Sequence, residues 1–138
     1  MRRTVALLAL ATVACAGSSK REAATLIAAV DRYRSADNAS KARLTQSVAD
    51  VACTDAQVCD AKRACLEAID PTTRALRLKD EVTLRLSDIE GKRLAADAPE
   101  AQALPDKLDE AARLLTEGRA KMPDCEKKLT DLRLLHGV

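Results

Sequence analysis

Apolar and polar positions along this chain recur with the period of a helix. Near the C-terminus the apolar positions are Leu108, Ala111, Leu115, Gly118, Met122, Cys125, Leu129 and Leu132. The steps alternate between three and four residues, which is a heptad stripe. It predicts a long helix starting at Pro105. Pro123 falls inside the stripe, where a proline loses a hydrogen bond and clashes with the preceding turn. The unbroken period predicts a helix that continues with a kink, and a break at residue 122 is the alternative. The end, His136-Gly137-Val138, is expected to fray.

The same reading divides the rest of the chain. Ser19-Lys20-Arg21-Glu22 has the form of a capping box and predicts a helix from about residue 20, with positions 23, 26, 27, 30 and 33 on its inner face. Ser35-Ala36-Asp37-Asn38 ends it. A second helix is expected from Ala39 to Ala52 with Leu44, Val48 and Val51 inward. A second capping-box pattern, Thr54-Asp55-Ala56-Gln57, opens a third at residue 55, with Val58, Ala61, Cys65 and Ile69 inward. Asp70-Pro71 reads as its end and as the cap and first residue of a fourth. That fourth helix is expected to reach Asp97 with Leu78, Val82, Leu86 and Ile89 inward and Gly91 inside it, before a loop over 98–104 between Pro99 and Pro105.

Composition agrees with helices throughout. Alanine and leucine are a third of the 138 residues, and there is one Tyr, no Phe and no Trp. The fold class expected is all-α: an antiparallel helical bundle or long helical hairpin of four to five helices, stabilised by disulfides. A core of Leu, Val, Ile and Ala without large aromatics buries modest area, so covalent cross-links carry more weight. Acid-first charge pairs at i,i+4 are expected on the wet faces: Asp70/Arg74, Glu81/Arg85, Asp88/Lys92, Asp109/Arg113, Glu117/Lys121 and Asp124/Lys128.

The first residues read as an address. Met1-Arg2-Arg3-Thr4 is a short positive region, Val5 to Ala14 is uncharged and apolar, and small residues follow. This is the three-part form of a secretory signal. Ten helical residues reach only ~15 Å, about half the hydrocarbon thickness. Thr12-Val13-Ala14-Cys15 resembles the lipobox of bacterial lipoproteins, with Thr12 where that family usually carries leucine. The resemblance covers the first fifteen residues only. It implies cleavage before Cys15, acylation of the Cys15 thiol, and permanent membrane attachment through the acyl chains. In that family an aspartate after the cysteine commonly retains the protein at the inner membrane. Ala16 stands there instead, which implies the outer membrane facing the periplasm. The alternative is ordinary secretion with cleavage after Ala16. The organisation expected is a leader over 1–14, the acylated Cys15 with a short tether to residue 19, and one helical domain over 20–138.

Four cysteines remain beyond Cys15, an even number, as pairing in an oxidising compartment requires. Cys53, Cys59 and Cys65 are spaced by six. Six residues on one straight helix put side chains about 120° apart and ~9 Å along the axis, so Cys59 and Cys65 cannot pair within the third helix. The chain bends between Cys53 and Cys59. The favoured pairing is Cys53–Cys59 with Cys65–Cys125, and the rival is Cys53–Cys65 with Cys59–Cys125.

Candidate chemistry is sparse. The one histidine, His136, lies on the tail, there is no closely spaced dithiol, and six-residue cysteine spacing does not build a zinc site. Phosphate-binding and nucleophile-elbow motifs are missing. No catalytic residue, cofactor or metal is therefore expected. Removing Arg2 and Arg3 from the 23 Lys+Arg leaves 21 against 21 acids, which disfavours nucleic acid. Arg32, Arg34, Lys41 and Arg43 form the densest basic stretch, read as a solvated face with headgroup contact as the alternative. The expected function is a lipid-anchored envelope module that acts by contact with another envelope protein, showing an exposed strip along Leu76, Leu84, Leu114 and Leu134–Leu135, or self-assembling as a coiled coil through the 108–132 stripe. The alternative is a periplasmic or secreted bundle binding a small apolar ligand or lipid in an enclosed pocket.

Overall fold

Among the described residues the helical periodicity is realised in four helices and one single turn. The structure, a computed structural model, describes residues 12–138, with side chains from residue 17. The elements are α1 (Thr12–Ser35), α2 (Asn38–Ala49), α3 (Ala56–Glu90), α4 (Pro99–Gln102) and α5 (Leu104–His136). The chain is all-α and carries two disulfides, Cys53–Cys59 and Cys65–Cys125, with Cα–Cα separations of 5.1 and 4.5 Å. Most of the expected leader lies outside the described residues, as does the side chain of Cys15.

Local chemistry sets the helix starts. The Asp37 carboxylate accepts from the Ser40 N–H (2.8 Å) and caps α2. Asp55, rather than Thr54, caps α3, accepting from the Gln57 and Val58 N–H groups. Gly137 closes α5 in the left-handed region (φ 61°), so the helix runs through His136 instead of fraying before it.

Several helix boundaries differ from expectation, α2 ending at Ala49 rather than Ala52 among them. α1 is already helical at Thr12, the first described residue, rather than beginning near residue 20, and takes in Ala16–Ser18, the expected tether. The supposed capping box is diverted: Glu22 reaches across to the start of α3. α3 passes straight through Asp70-Pro71. Pro71 has no N–H to give the Glu67 carbonyl, yet Ala61, Ala68, Ala75 and Val82 are buried at seven-residue intervals on both sides of it, and packing along that stripe outweighs one lost bond. α3 stops at Glu90, short of Asp97, because Gly91 is its C-cap, not an interior residue, and Lys92 turns into positive φ (56°). The 98–104 loop contains the one-turn α4. α5 continues through Pro123, as the stripe required.

α3 and α5 form an antiparallel hairpin, the largest interface in the fold. Cys65 bonds Cys125, Thr72 meets Gly118 and Glu81 reaches Lys107. α1 and α2 pack only on the half nearest the α3 start. There Leu26, Val30, Tyr33, Val48, Val58, Ile69 and Leu129 make the main core, with Val51 buried after α2 ends. Tyr33 is enclosed in it. Its hydroxyl lies 3.5 Å from the buried Thr73 hydroxyl, which also pairs with the Thr45 hydroxyl at 2.6 Å. Burial pushes the Tyr33 hydroxyl above its ordinary pKa. Beyond Thr73 the hairpin projects past α1 and α2 as a two-helix arm, with the single turn α4 packed on it. A small cluster of Ala75, Ala111 and Leu114, with Leu78 against it, holds its root.

Candidate functional site

One end of the body gathers three chain segments. The Glu22 carboxylate on α1 accepts from the Thr54 N–H (2.7 Å), the Thr54 hydroxyl (2.7 Å) and the Asp55 N–H (3.3 Å). The Thr54 hydroxyl and N–H hold Glu22 below the usual glutamate range. The Val58 N–H, and after it the Gln57 N–H and the Ser19 side chain, hold Asp55 low, with the His136 ring also near enough to favour its charge. Thus α1 at residues 19–22, the start of α3 and the end of α5 meet here. Cys15 lies two helical turns before Glu22 on α1, about 10 Å along the axis. The arm tip, at Gly91, is at the opposite end of α3.

Two of the four residues of the basic stretch are engaged. Arg34 pairs with Glu126 at 2.8 Å. Lys41 donates to the Tyr33 and Ala36 carbonyls (3.1 Å each), closing the end of α1, and its ammonium sits 4.8 Å from the Tyr33 ring centre. Several expected charge pairs also choose other partners. Glu117–Lys121 forms, whereas Glu81 takes Lys107, Lys128 takes Asp60 and Arg113 takes Glu110 and Glu117. Inter-helix partners win where α3 and α5 run close.

A groove of about 490 Å³ runs between the α3 start and the α5 end, lined by Ala56, Gln57, Asp60, Lys128, Leu132 and Leu135. The Lys128–Asp60 ion pair sits in it, so charge already occupies the space an apolar ligand would need. Among the described residues, no group of three or more metal-ligating side chains converges, and no helix is long and apolar enough to cross a membrane.

The arm has two unlike sides. Val82 faces α5, with Glu81 about 100° to one side of it and Leu86 about 40° to the other. On α5, Ala111 faces α3, with Lys107 about 40° to one side and Leu115 and Leu108 about 40° and 60° to the other. Because Lys107 pairs with Glu81, the two helices place Leu86, Leu108 and Leu115 together on the opposite side. The charged side carries Glu81–Lys107, Arg85–Asp88 and the Glu110–Arg113–Glu117–Lys121 chain. The leucine side is open, with Leu86 48%, Leu108 46% and Leu115 37% exposed.

These three leucines were expected inward, and their exposure is a correction. The reason is coverage. Leu108, Leu115, Met122 and Leu129 are seven residues apart on one stripe. Met122 and Leu129 lie against the core that α1 and α2 complete, and Leu129 is only 1% exposed. Leu108 and Leu115 lie beyond the reach of those helices. The expected exposed strip changes accordingly: Leu114 is buried and Leu76 half-buried, while Leu84, Leu134 and Leu135 are exposed. The shortness of α1 and α2 was the sequence signal for this, since two helices ending by Ala49 cannot cover a 35-residue α3.

Comparison with protein-family models, with curated proteins and with solved structures finds no match to this chain.

Proposed function

We propose that this protein is a non-catalytic, lipid-anchored module of a bacterial cell envelope, attached through Cys15 to the outer membrane and facing the periplasm, and acting by protein contact. The observation that carries the reading is the polarity of the molecule. The lipobox-like Cys15 belongs to the helix that enters the body at one end. The arm, with its open leucine side, leaves at the other. An acylated Cys15 would hold the body at a bilayer and present the arm away from it. The two disulfides suit an oxidising compartment.

The test is fractionation in a Gram-negative host. The wild-type chain is expected to take up labelled palmitate and to sediment with membranes. Cys15→Ser is expected to lose the label and leave the pellet. A Cys15→Ser variant that still sediments with membranes, with the leader removed at the same bond, would sink the reading.

A further inference from the structure

The two disulfides differ in what can reach them. Cys65 and Cys125 are fully buried in the main core, where α3 meets α5. Cys53 and Cys59 are only partly buried. A shallow groove of about 300 Å³ opens on this second bond, lined by both cysteines, Lys62, Arg63, Leu66 and Glu67. Its wall is almost wholly apolar, so the three long charged residues present their stems to it and hold their heads in solvent. Exchange requires a thiolate to reach one of the two sulfurs, so its rate follows access. The Cys65–Cys125 bond offers no approach until the helices part.

We infer that the Cys53–Cys59 bond is a thiol–disulfide exchange site, opened by a dithiol that enters this groove, while Cys65–Cys125 stays closed in the same molecule. One thiolate of the dithiol attacks the Cys53 sulfur. The Cys53–Cys59 bond breaks, a mixed disulfide forms at Cys53, and Cys59 leaves as a thiolate. Cys59 is the better leaving group because it lies in the first turn of α3, at the positive end of that helix, with Lys62 and Arg63 on the next turn. The acids nearby are already occupied, Asp55 by the Gln57 and Val58 N–H groups and Asp60 by Lys128 and Arg63. The second thiolate of the dithiol then attacks its own sulfur in the mixed disulfide and frees Cys53. The dithiol is oxidised to a disulfide, Cys53 and Cys59 are reduced, and the two protons the dithiol gives up end on them.

Opening this bond acts on α1. Thr54 lies between the two cysteines and supplies the N–H and hydroxyl that hold Glu22. Residues 51–54 are not helical. The disulfide ties them to α3, together with the Lys62 ammonium, which donates to the Val51 carbonyl (2.8 Å), and the cap at Asp55. Removing the covalent tie returns conformational freedom to Thr54, and the clamp on Glu22 weakens. Glu22 precedes Ala23, where the burial of α1 in the core begins, so the turn before it loosens while the core stays packed. The bond is thus a redox-controlled clamp on the start of α1, and it does not depend on acylation of Cys15.

The experiment uses the full oxidised chain without denaturant. It is treated with dithiothreitol for increasing times, free thiols are blocked with N-ethylmaleimide, and peptides are mapped. Cys53 and Cys59 are expected to take the label about a hundredfold sooner than Cys65 and Cys125. Reduced thioredoxin run beside it separates the two sources of a dithiol: opening by both supports a protein donor, and opening by dithiothreitol alone a small-molecule donor. In the partly reduced protein, amides of residues 17–25 are expected to exchange hydrogen about tenfold faster, with those of 125–132 unchanged. The double variant Cys53→Ser, Cys59→Ser is expected to reproduce this without reductant. Label on Cys65 and Cys125 as early as on Cys53 and Cys59, opening only as helical circular dichroism is lost, or unchanged exchange over 17–25 once the bond is open would each overturn the inference.

Discussion

Gly118 is where the fold is most sensitive to a single methyl group. A Cβ built there lies 2.7 Å from the Ala68 carbonyl oxygen and against the Thr72 hydroxyl. The hydroxyl can rotate away, but the carbonyl belongs to the α3 backbone, so Gly118→Ala must push α3 and α5 apart. Seven residues away, the Cys65–Cys125 bond holds the two helices and resists that shift. Overpacking of this kind costs ~1–3 kcal/mol. Backbone entropy works the other way, since alanine in a helix interior gains about 1 kcal/mol over glycine. With an immovable carbonyl in contact, the steric cost should lie at the upper end, leaving a net loss of about 1–2 kcal/mol. Gly17→Ala is the control, because nothing lies within 4 Å of a Cβ there. Urea denaturation of the oxidised protein measures both. A lower midpoint for Gly118→Ala at unchanged slope is expected. A gain of about 1 kcal/mol, the value propensity alone gives, would refute the close approach of the helices.

Three further outcomes follow from the same contacts. Replacing Cys65 and Cys125 together by alanine should cost about 4 kcal/mol by chain entropy, against about 2 for the short Cys53–Cys59 loop. Non-reduced peptide maps should link Cys65 to Cys125, and a Cys59–Cys125 peptide would contradict the fold. Thr73→Val should cost ~1–3 kcal/mol in urea titration, because it removes the buried hydroxyl that Tyr33 and Thr45 both bond. Glu22 is held low in the folded chain, so its contribution is full above about pH 4.3, the ordinary glutamate value, and is lost as the pH falls through the lower folded value. The difference in Tm between wild type and Glu22→Gln should therefore be largest near neutrality and vanish in acid. A difference independent of pH would show that Glu22 acts by packing alone.

Much of this architecture was legible in the residues. The heptad stripe from Leu108 to Leu132 identified α5 and carried it through Pro123. The bend at Asp55 and the six-residue spacing were enough to favour the observed disulfides. Pro71 shows where local signals mislead. Asp-Pro is a good helix start, and that signal outweighed a period that Ala61, Ala68, Ala75 and Val82 keep unbroken across it. The rule that saved Pro123 applied equally here. Glu22 was misread for a different reason. Its spacing from Ser19 fits a cap for its own helix, but its partner, Thr54, is 32 residues away in sequence. The period of a stripe was readable; which neighbour covers it was not, because that depends on how far another helix reaches.

Helix length therefore decides which side of the hairpin stays exposed. α1 packs from Ala23 to Tyr33, and Tyr33 is level with Thr73. α2 then turns back for twelve residues. Past Thr73, over some 17 residues or about 25 Å, α3 has α5 along it and only the single turn α4 besides. Two helices share one narrow seam, and alanines and Gly118 bring the axes close along it. A close seam leaves the flanking positions outside, since small residues cannot wall them in. On one flank those positions are Glu and Arg or Lys, and they satisfy one another across the seam. On the other, Leu86, Leu108 and Leu115 lie among Lys79, Glu90 and Arg119 and have no such option. The same small residues that tighten the hairpin thus create its exposed apolar side. Lengthening α1 and α2 would bury that side, so the reach of those helices sets its exposure as much as the leucines themselves do.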